Sequence, residues 1–204
     1  MSRPQERQRA VQQRAEETKE AILTAATDLF STQGFDGTSI RAIEAASGTK
    51  RGLVNYHFGD KDSLWRAVAT RLFTEAPGDF EPPDIVQDLG PEVALRAQLT
   101  QFVRFSAAHP EVSRLIIQEG KTPSWRLDYL VDTFVQPRLD AFNEILGTPV
   151  DAHTLYMFIG AATLVFDVEA ECEKLFGYNP RTEAFVSEHA RRLCDLILSV
   201  LPDN

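Results

Sequence analysis

The sequence predicts an all-α protein: an amino-terminal three-helix unit containing a helix-turn-helix, linked by a fourth helix to a larger helical domain. Three observations carry this. Apolar residues recur at spacings of three and four between Gly and Pro punctuation, and no run alternates apolar and polar residues long enough for a convincing strand. Charge also divides along the chain: residues 1–73 hold 11 Lys and Arg against 9 Asp and Glu, whereas residues 74–204 hold 10 against 21. The net charge of −9 therefore conceals a mildly basic first part, the part suited to meet phosphate.

Residues 1–15 place Arg3, Arg7, Arg9 and Arg14 among Gln and Glu without an apolar run. This excludes a secretory signal and reads as a flexible basic arm, either solvated or reaching into a minor groove. The first helix is expected over 18–33, on Ile22, Leu23, Ala26, Leu29 and Phe30, ending at Gly34. Thr38 is expected to cap a short second helix with Ile40, Ile43 and Ala46 facing inward, ended by Ser47-Gly48. A third short helix is expected over 50–57, with Leu53, Val54 and Phe58 as its apolar contacts. Two short helices joined by a Gly-containing turn make a helix-turn-helix. Asp60 then caps a fourth helix with the stripe Leu64, Trp65, Val68 and Leu72. Pro, Gly and acidic residues over 76–91 mark a linker, so the expected units are an arm (1–15), a DNA-reading unit (16–75) and a helical domain (76–204).

In the last unit, helices are expected over 92–108, 111–119, 125–146, 151–176 and 182–200. Pro137 should bend or break the third, because it lacks a backbone donor and clashes with the preceding turn. The apolar stretch 155–166 is too short to cross a bilayer, but it is apolar nearly all round and needs cover on more than one side. Gly160, Ala161 and Ala162 would admit a close neighbour, and Phe185, Leu193, Leu196, Ile197 and Val200 form a second stripe on the final helix. Cys172 and Cys194 have no disulfide or zinc spacing and read as buried thiols. Neither they nor His57, His109, His153 and His189 form a metal or nucleophile constellation, and no Gly-rich phosphate loop is present. An enzyme is not expected, nor is a cofactor.

The amino-terminal residues of the third helix would enter a major groove, where a helix fits and base edges differ. Thr49, Lys50, Arg51 and Asn55 are the candidates. Lys50 and Arg51 would donate either to guanine or to phosphate, and Asn55 would either pair with adenine or cap the helix. Gly52 suggests a close approach to DNA or to the second helix. Tyr56, His57 and Lys61 are placed near the duplex backbone, with packing between helices as the other reading of Tyr56 and His57.

Residues 18–73 carry Thr38-Ser39-Ile40-Arg41-Ala42-Ile43, then Ala46-Ser47-Gly48, then Arg51-Gly52-Leu53-Val54-Asn55-Tyr56-His57-Phe58-Gly59-Asp60-Lys61. In this order the segment resembles the amino-terminal domain of the TetR/AcrR family of transcriptional regulators. It departs in having Thr49-Lys50 where an apolar residue and Ser or Thr usually follow the turn glycine, which moves the expected cap to Thr49. The resemblance implies that Thr38, Ser39 and Arg41 begin a phosphate-facing second helix. It also implies a homodimer built through the last two helices, double-stranded DNA as partner, and an unknown small-molecule effector that alters the spacing of the reading heads; a cytoplasmic location and no membrane partner are expected from the lack of a secretory signal and of a spanning apolar run.

The effector would sit among aromatics of the second domain, where each ring either lines a cavity or simply packs in the core. The candidates are Phe102, Phe105, Gln118, Trp125, Tyr129 and Phe158, with Glu119, Arg126, Asp128, His153 and Asp167 as further polar groups. A helical interaction module with an inactive reading unit is the competing class, distinguished by the absence of salt-sensitive duplex binding.

Overall fold

Good helix formers extend the first element well beyond its apolar stripe. In the computed structural model, which describes residues 3–74 and 90–200, α1 (Arg3–Gly37) runs back through the segment expected to be a flexible arm. That segment is rich in Gln, Arg, Glu and Ala, which lose little on entering a helix, and Gln13 Nε2 donates to Glu17 Oε1 one turn on at 3.0 Å. Residues 7–14 are exposed, and enclosure begins at Ile22. Gly34 interrupts the helix where the sequence pattern stops, at φ 72°, a conformation only glycine adopts cheaply.

Three short helices follow, α2 (Ile40–Ala46), α3 (Leu53–Phe58) and α4 (Lys61–Thr74), closing over Phe30, Ile43, Val54, Leu64 and Val68. The expected linker lies outside the described residues up to residue 89. Beyond it come α5 (Pro91–Ala108), α6 (Pro110–Glu119), α7 (Trp125–Leu130), α8 (Gln136–Leu146), α9 (Ala152–Asp167), α10 (Glu169–Phe176) and α11 (Glu183–Val200). No strand occurs among the described residues, and none of their helices is long and apolar enough to cross a membrane.

Two of the expected helices are remodelled. Between α7 and α8, residues Val131–Val135 form a π-helical turn, and the Gln136 N–H reaches back to the Val131 carbonyl. Pro137 thus falls in the first turn of α8, where its missing donor is harmless, so the chain widens locally instead of breaking. The expected helix over 151–176 divides at Val168 into α9 and α10. There the Arg181 guanidinium donates to the carbonyls of Phe166 (3.2 Å) and Ala107 (2.8 Å) and pairs with Glu169.

The core does not respect the division between the reading head (α1–α4) and the body (α5–α11). Phe105, Val112, Leu115, Leu130 and Phe134 of the body join Ile22, Phe30, Trp65 and Leu72 of the head in one cluster. A second cluster, within the body, packs Leu95, Leu99 and Val103 of α5 against Phe158 and Phe166 of α9 and Val186, Leu193 and Ile197 of α11. Helix α5 serves both, through Phe105 on one face and Leu99 on the other.

Leu115 is fully enclosed in the shared cluster. Its replacement by Ala should cost about 2–5 kcal/mol. Heat unfolding followed by fluorescence of Trp65 and Trp125 and by far-ultraviolet dichroism should give coincident midpoints in both proteins. Separate midpoints would show that head and body unfold independently.

Candidate nucleic-acid interface

The helix-turn-helix is held by polar groups buried beneath its surface. Ser39, rather than Thr38, caps α2, its Oγ accepting from the Ala42 N–H at 3.1 Å. Thr38 is only 1% exposed and donates through Oγ1 to the carbonyls of Gly34 (2.8 Å) and Leu29 (3.1 Å). A hydroxyl so placed ties the turn to α1, and the expectation that the Thr38 side chain faces phosphate is corrected. Ser39 and Arg41 are exposed beside it.

The third helix begins later than expected. Lys50 and Arg51 lie in the turn before α3, and Gly52 occupies its N-cap position at φ 90°. Nothing of the protein stands within 4 Å of where a Cβ would project from Gly52, so its φ answers a backbone requirement rather than a close approach to α2. Thr49 does not cap the helix: its hydroxyl lies 2.8 Å from the Ser47 hydroxyl, and its N–H donates to the Glu44 carbonyl at 3.0 Å. The group holding the start of α3 is the Glu44 carboxylate, buried on α2, whose Oε1 accepts from the Gly52 N–H at 2.6 Å. Sequence reasoning missed Glu44. The available signal was an acid directly after the inward-facing Ile43 of a short helix.

Lys50, Arg51, Asn55 and Tyr56 project outward, Tyr56 being 79% exposed. His57 is half-buried, its ring edge-on to Tyr56 with centroids 5.0 Å apart. Asp60 caps α4 as expected, accepting from the Ser63 N–H at 2.7 Å, and hydrogen bonds from Ser63 hold its carboxyl below the usual carboxylate range. Lys61 is partly withdrawn: its Nζ lies 4.0 Å from the centroid of the Phe35 ring, and burial lowers its pKa.

The aromatic effector candidates divide between the two clusters. Phe102 and Phe158 meet at 5.2 Å in the body cluster, with Phe142 stacked on Phe158 at 6.2 Å. Phe105 lies in the shared cluster, while Trp125 and Tyr129 pack on Trp65 at 5.3 and 6.1 Å. Gln118 bridges α6 to the head by donating to the Thr32 carbonyl at 3.4 Å. Among the polar candidates, Glu119 pairs with Arg126 and Asp167 with Arg114, whereas Asp128 and His153 are exposed. An apolar depression of about 270 Å³, including space open to solvent, adjoins Phe158. Phe142, Leu146, Val150, Thr154, Leu155 and Ile197 complete its lining.

Replacing Glu44 by Ala would leave the Gly52 N–H unpartnered and should cost about 1–3 kcal/mol in urea unfolding. Glu44→Gln, which keeps an acceptor oxygen, should recover most of that loss. Equal stability of the Ala variant and the parent would remove Glu44 from this role.

Residues 22–68 match the family model of bacterial regulatory proteins, tetR family. An HTH-type transcriptional repressor of Mycobacterium tuberculosis is 45% identical over 39% of this chain and 46% of its own. The chain therefore matches less than half the length of that relative. The HTH-type transcriptional regulator RutR of Escherichia coli is 24% identical across 88% of both chains. HlyIIR, a hemolysin II transcriptional regulator, has a similar solved structure with TM-score 0.66 at 23% identity, covering 93% of this chain and 99% of that one. That likeness bears on the fold. Both curated relatives are named as transcriptional regulators. Residues 22–68 thus form a helix-turn-helix unit matching the tetR family of bacterial regulatory proteins, and the chain as a whole has a fold similar to that of a solved transcriptional regulator.

Proposed function

We propose that the chain is a cytoplasmic homodimeric repressor that binds a pseudo-palindromic operator in double-stranded DNA and leaves it when a small-molecule effector enters the helical body. The observation that supports this most is the outward set Lys50, Arg51, Asn55 and Tyr56 at the start of a short helix held from beneath by Glu44. The two cations neutralise phosphate or meet guanine, and Asn55 pairs with adenine. Ser39, Arg41, Tyr56 and His57 add contacts to the duplex backbone. One short helix reads few base pairs, so two copies spaced by about 34–36 Å, or a multiple, are needed for useful specificity.

The second copy has an available surface. Tyr156, Met157 and Leu164 of α9 and Leu196 of α11 are each more than half exposed, although all are apolar or aromatic. Such residues on neighbouring helices suit an isologous contact in which each chain covers the other. The effector would enter near Phe102, Phe142 and Phe158. To release DNA it must prefer the conformation that does not bind the operator.

His189 lies on this face, half-buried between the rings of Phe166 and Phe185, with Nε2 2.9 Å from the Ala161 carbonyl. The carbonyl only accepts, so Nε2 carries the proton. Burial pushes the His189 pKa below its ordinary 6.5 despite that hydrogen bond. The folded state then binds this proton less readily than the unfolded chain. Its stabilising contribution is fully present above the unfolded value and declines as pH falls below it. Thermal midpoints measured across that range should drop on acidification, and His189→Gln should flatten this part of the profile; an unchanged profile would exclude His189 as its source.

The function is tested by fluorescence-anisotropy titration of duplexes taken from around the protein's own gene, at low and moderate salt, against random competitor. Binding should saturate at two chains per site and survive competitor. Lys50→Ala with Arg51→Ala should abolish it while leaving helicity and dimerisation intact. Duplex binding that is only weak and blind to sequence would overturn the assignment.

A further inference from the structure

The reading head and the body meet around one aromatic ring. Phe35, immediately beyond the Gly34 break, has the Lys61 ammonium of the head 4.0 Å from its centroid and the Arg126 guanidinium of the body 4.2 Å from it. Trp125 stands edge-on to the same ring at 6.3 Å. Arg126 is itself held: its Nε donates to Glu119 Oε2 at 2.7 Å, and Glu119 is 3% exposed. The other carboxylate oxygen, Oε1, has no hydrogen-bond partner among the described residues. Around this group, Arg66 of α4 lies over Trp125 at 4.1 Å, and the Thr70 and Tyr129 hydroxyls are 3.3 Å apart.

Stability alone gives a poor account of this arrangement. Removing two charges from water costs several kcal/mol by order of magnitude, and apolar replacements of buried pairs are often as stable or more so. An incompletely satisfied carboxylate adds to the cost. What the pair supplies is direction. A guanidinium is planar and rigid, and a buried carboxylate beside it fixes the orientation of the plane. The plane presents the cation to a ring that the head also holds from Lys61, so the ring is gripped by both parts of the molecule. Phe35 lies near the end of α1, and Lys61 begins α4.

We propose that Glu119 and Arg126 are positioning residues for DNA recognition: through Phe35 they set the angle at which the reading head leaves the body. The inference rests on the DNA-binding reading above. The connection is separate from the covalent path through α4, and it requires no contact with DNA. Loss of the pair changes how two heads in a dimer match two half-sites. It leaves each head's general attraction for phosphate as it was.

The test uses the whole chain and the double variant Glu119→Leu with Arg126→Met, which removes the charges and keeps apolar volume. Affinity is measured for an operator fragment selected from a duplex pool and for random duplex, with thermal midpoint and sedimentation alongside. Operator affinity should fall by about tenfold, within the usual range of coupling between sites. Random-duplex affinity, dimerisation and thermal midpoint should stay near those of the parent. Unchanged operator affinity, or an equal loss on both duplexes, would overturn the proposal. If the double variant does not fold, Arg126→Lys carries the same comparison, since it keeps the charge pair and loses the flat stack on Phe35. No discrimination between duplexes by the unmodified protein would overturn the DNA-binding reading itself and this inference with it.

Discussion

Trp65 of α4 and Leu115 of α6 are enclosed in one apolar cluster, and the placement of everything that meets DNA in this reading follows from that shared burial. A large apolar side chain contributes roughly 1.5–3 kcal/mol when buried. Enough of them cross the boundary here that the head cannot drift from the body without exposing Phe30, Trp65 and Phe134 together. Phe73 and Phe134 stack at 4.7 Å, and Arg138 donates to the Phe73 carbonyl at 2.8 Å, so α4 is fixed at its far end as well. In the proposed function a rigid connection of this kind lets a ligand among the body helices be felt by α3, which a flexible tether would not.

The second constraint is local and polar. Helix α3 has six residues, far too few to persist alone, since isolated helices below about 12–15 residues are marginal in water. It persists because Val54 is buried and because Glu44 receives the Gly52 N–H from beneath. The outward side chains are then free of structural duty. Lys50, Arg51, Asn55 and Tyr56 are available to a partner because Thr38, Glu44 and Thr49 carry the hydrogen bonds of the turn.

Much of the head was legible in the residues. The stop at Gly34, the Asp60 cap and the stripe Leu64, Trp65, Val68 and Leu72 are local signals, set by neighbours within a few positions. The misplaced caps have a common cause. Thr38 and Thr49 are both plausible caps by residue type, but a cap is chosen by which hydroxyl the turn leaves facing an orphan N–H, and that depends on contacts made to α1 and α2 from elsewhere. Pro137 predicts a bend or a break by residue type, but which way the chain accommodates it depends on its neighbours: a π turn precedes it and the proline falls near the start of α8. The effector candidates scattered because aromatic character identifies buried rings without saying which cluster receives each one.

By itself the sequence determined the helical class, the order of short helices, the two Gly-marked turns of the head and the basic character of the part that faces DNA in this reading. These rest on periodicity, backbone permissiveness and formal charge, which act over a few residues. Only the tertiary structure decided that head and body share a core, that Glu44 anchors α3, that Lys61 rests on Phe35 beside Arg126, and that Trp125 and Tyr129 pack against Trp65 rather than gather with Phe102 and Phe158. Each of these joins residues far apart in the chain, and their meeting is settled by which apolar faces the helices bury together.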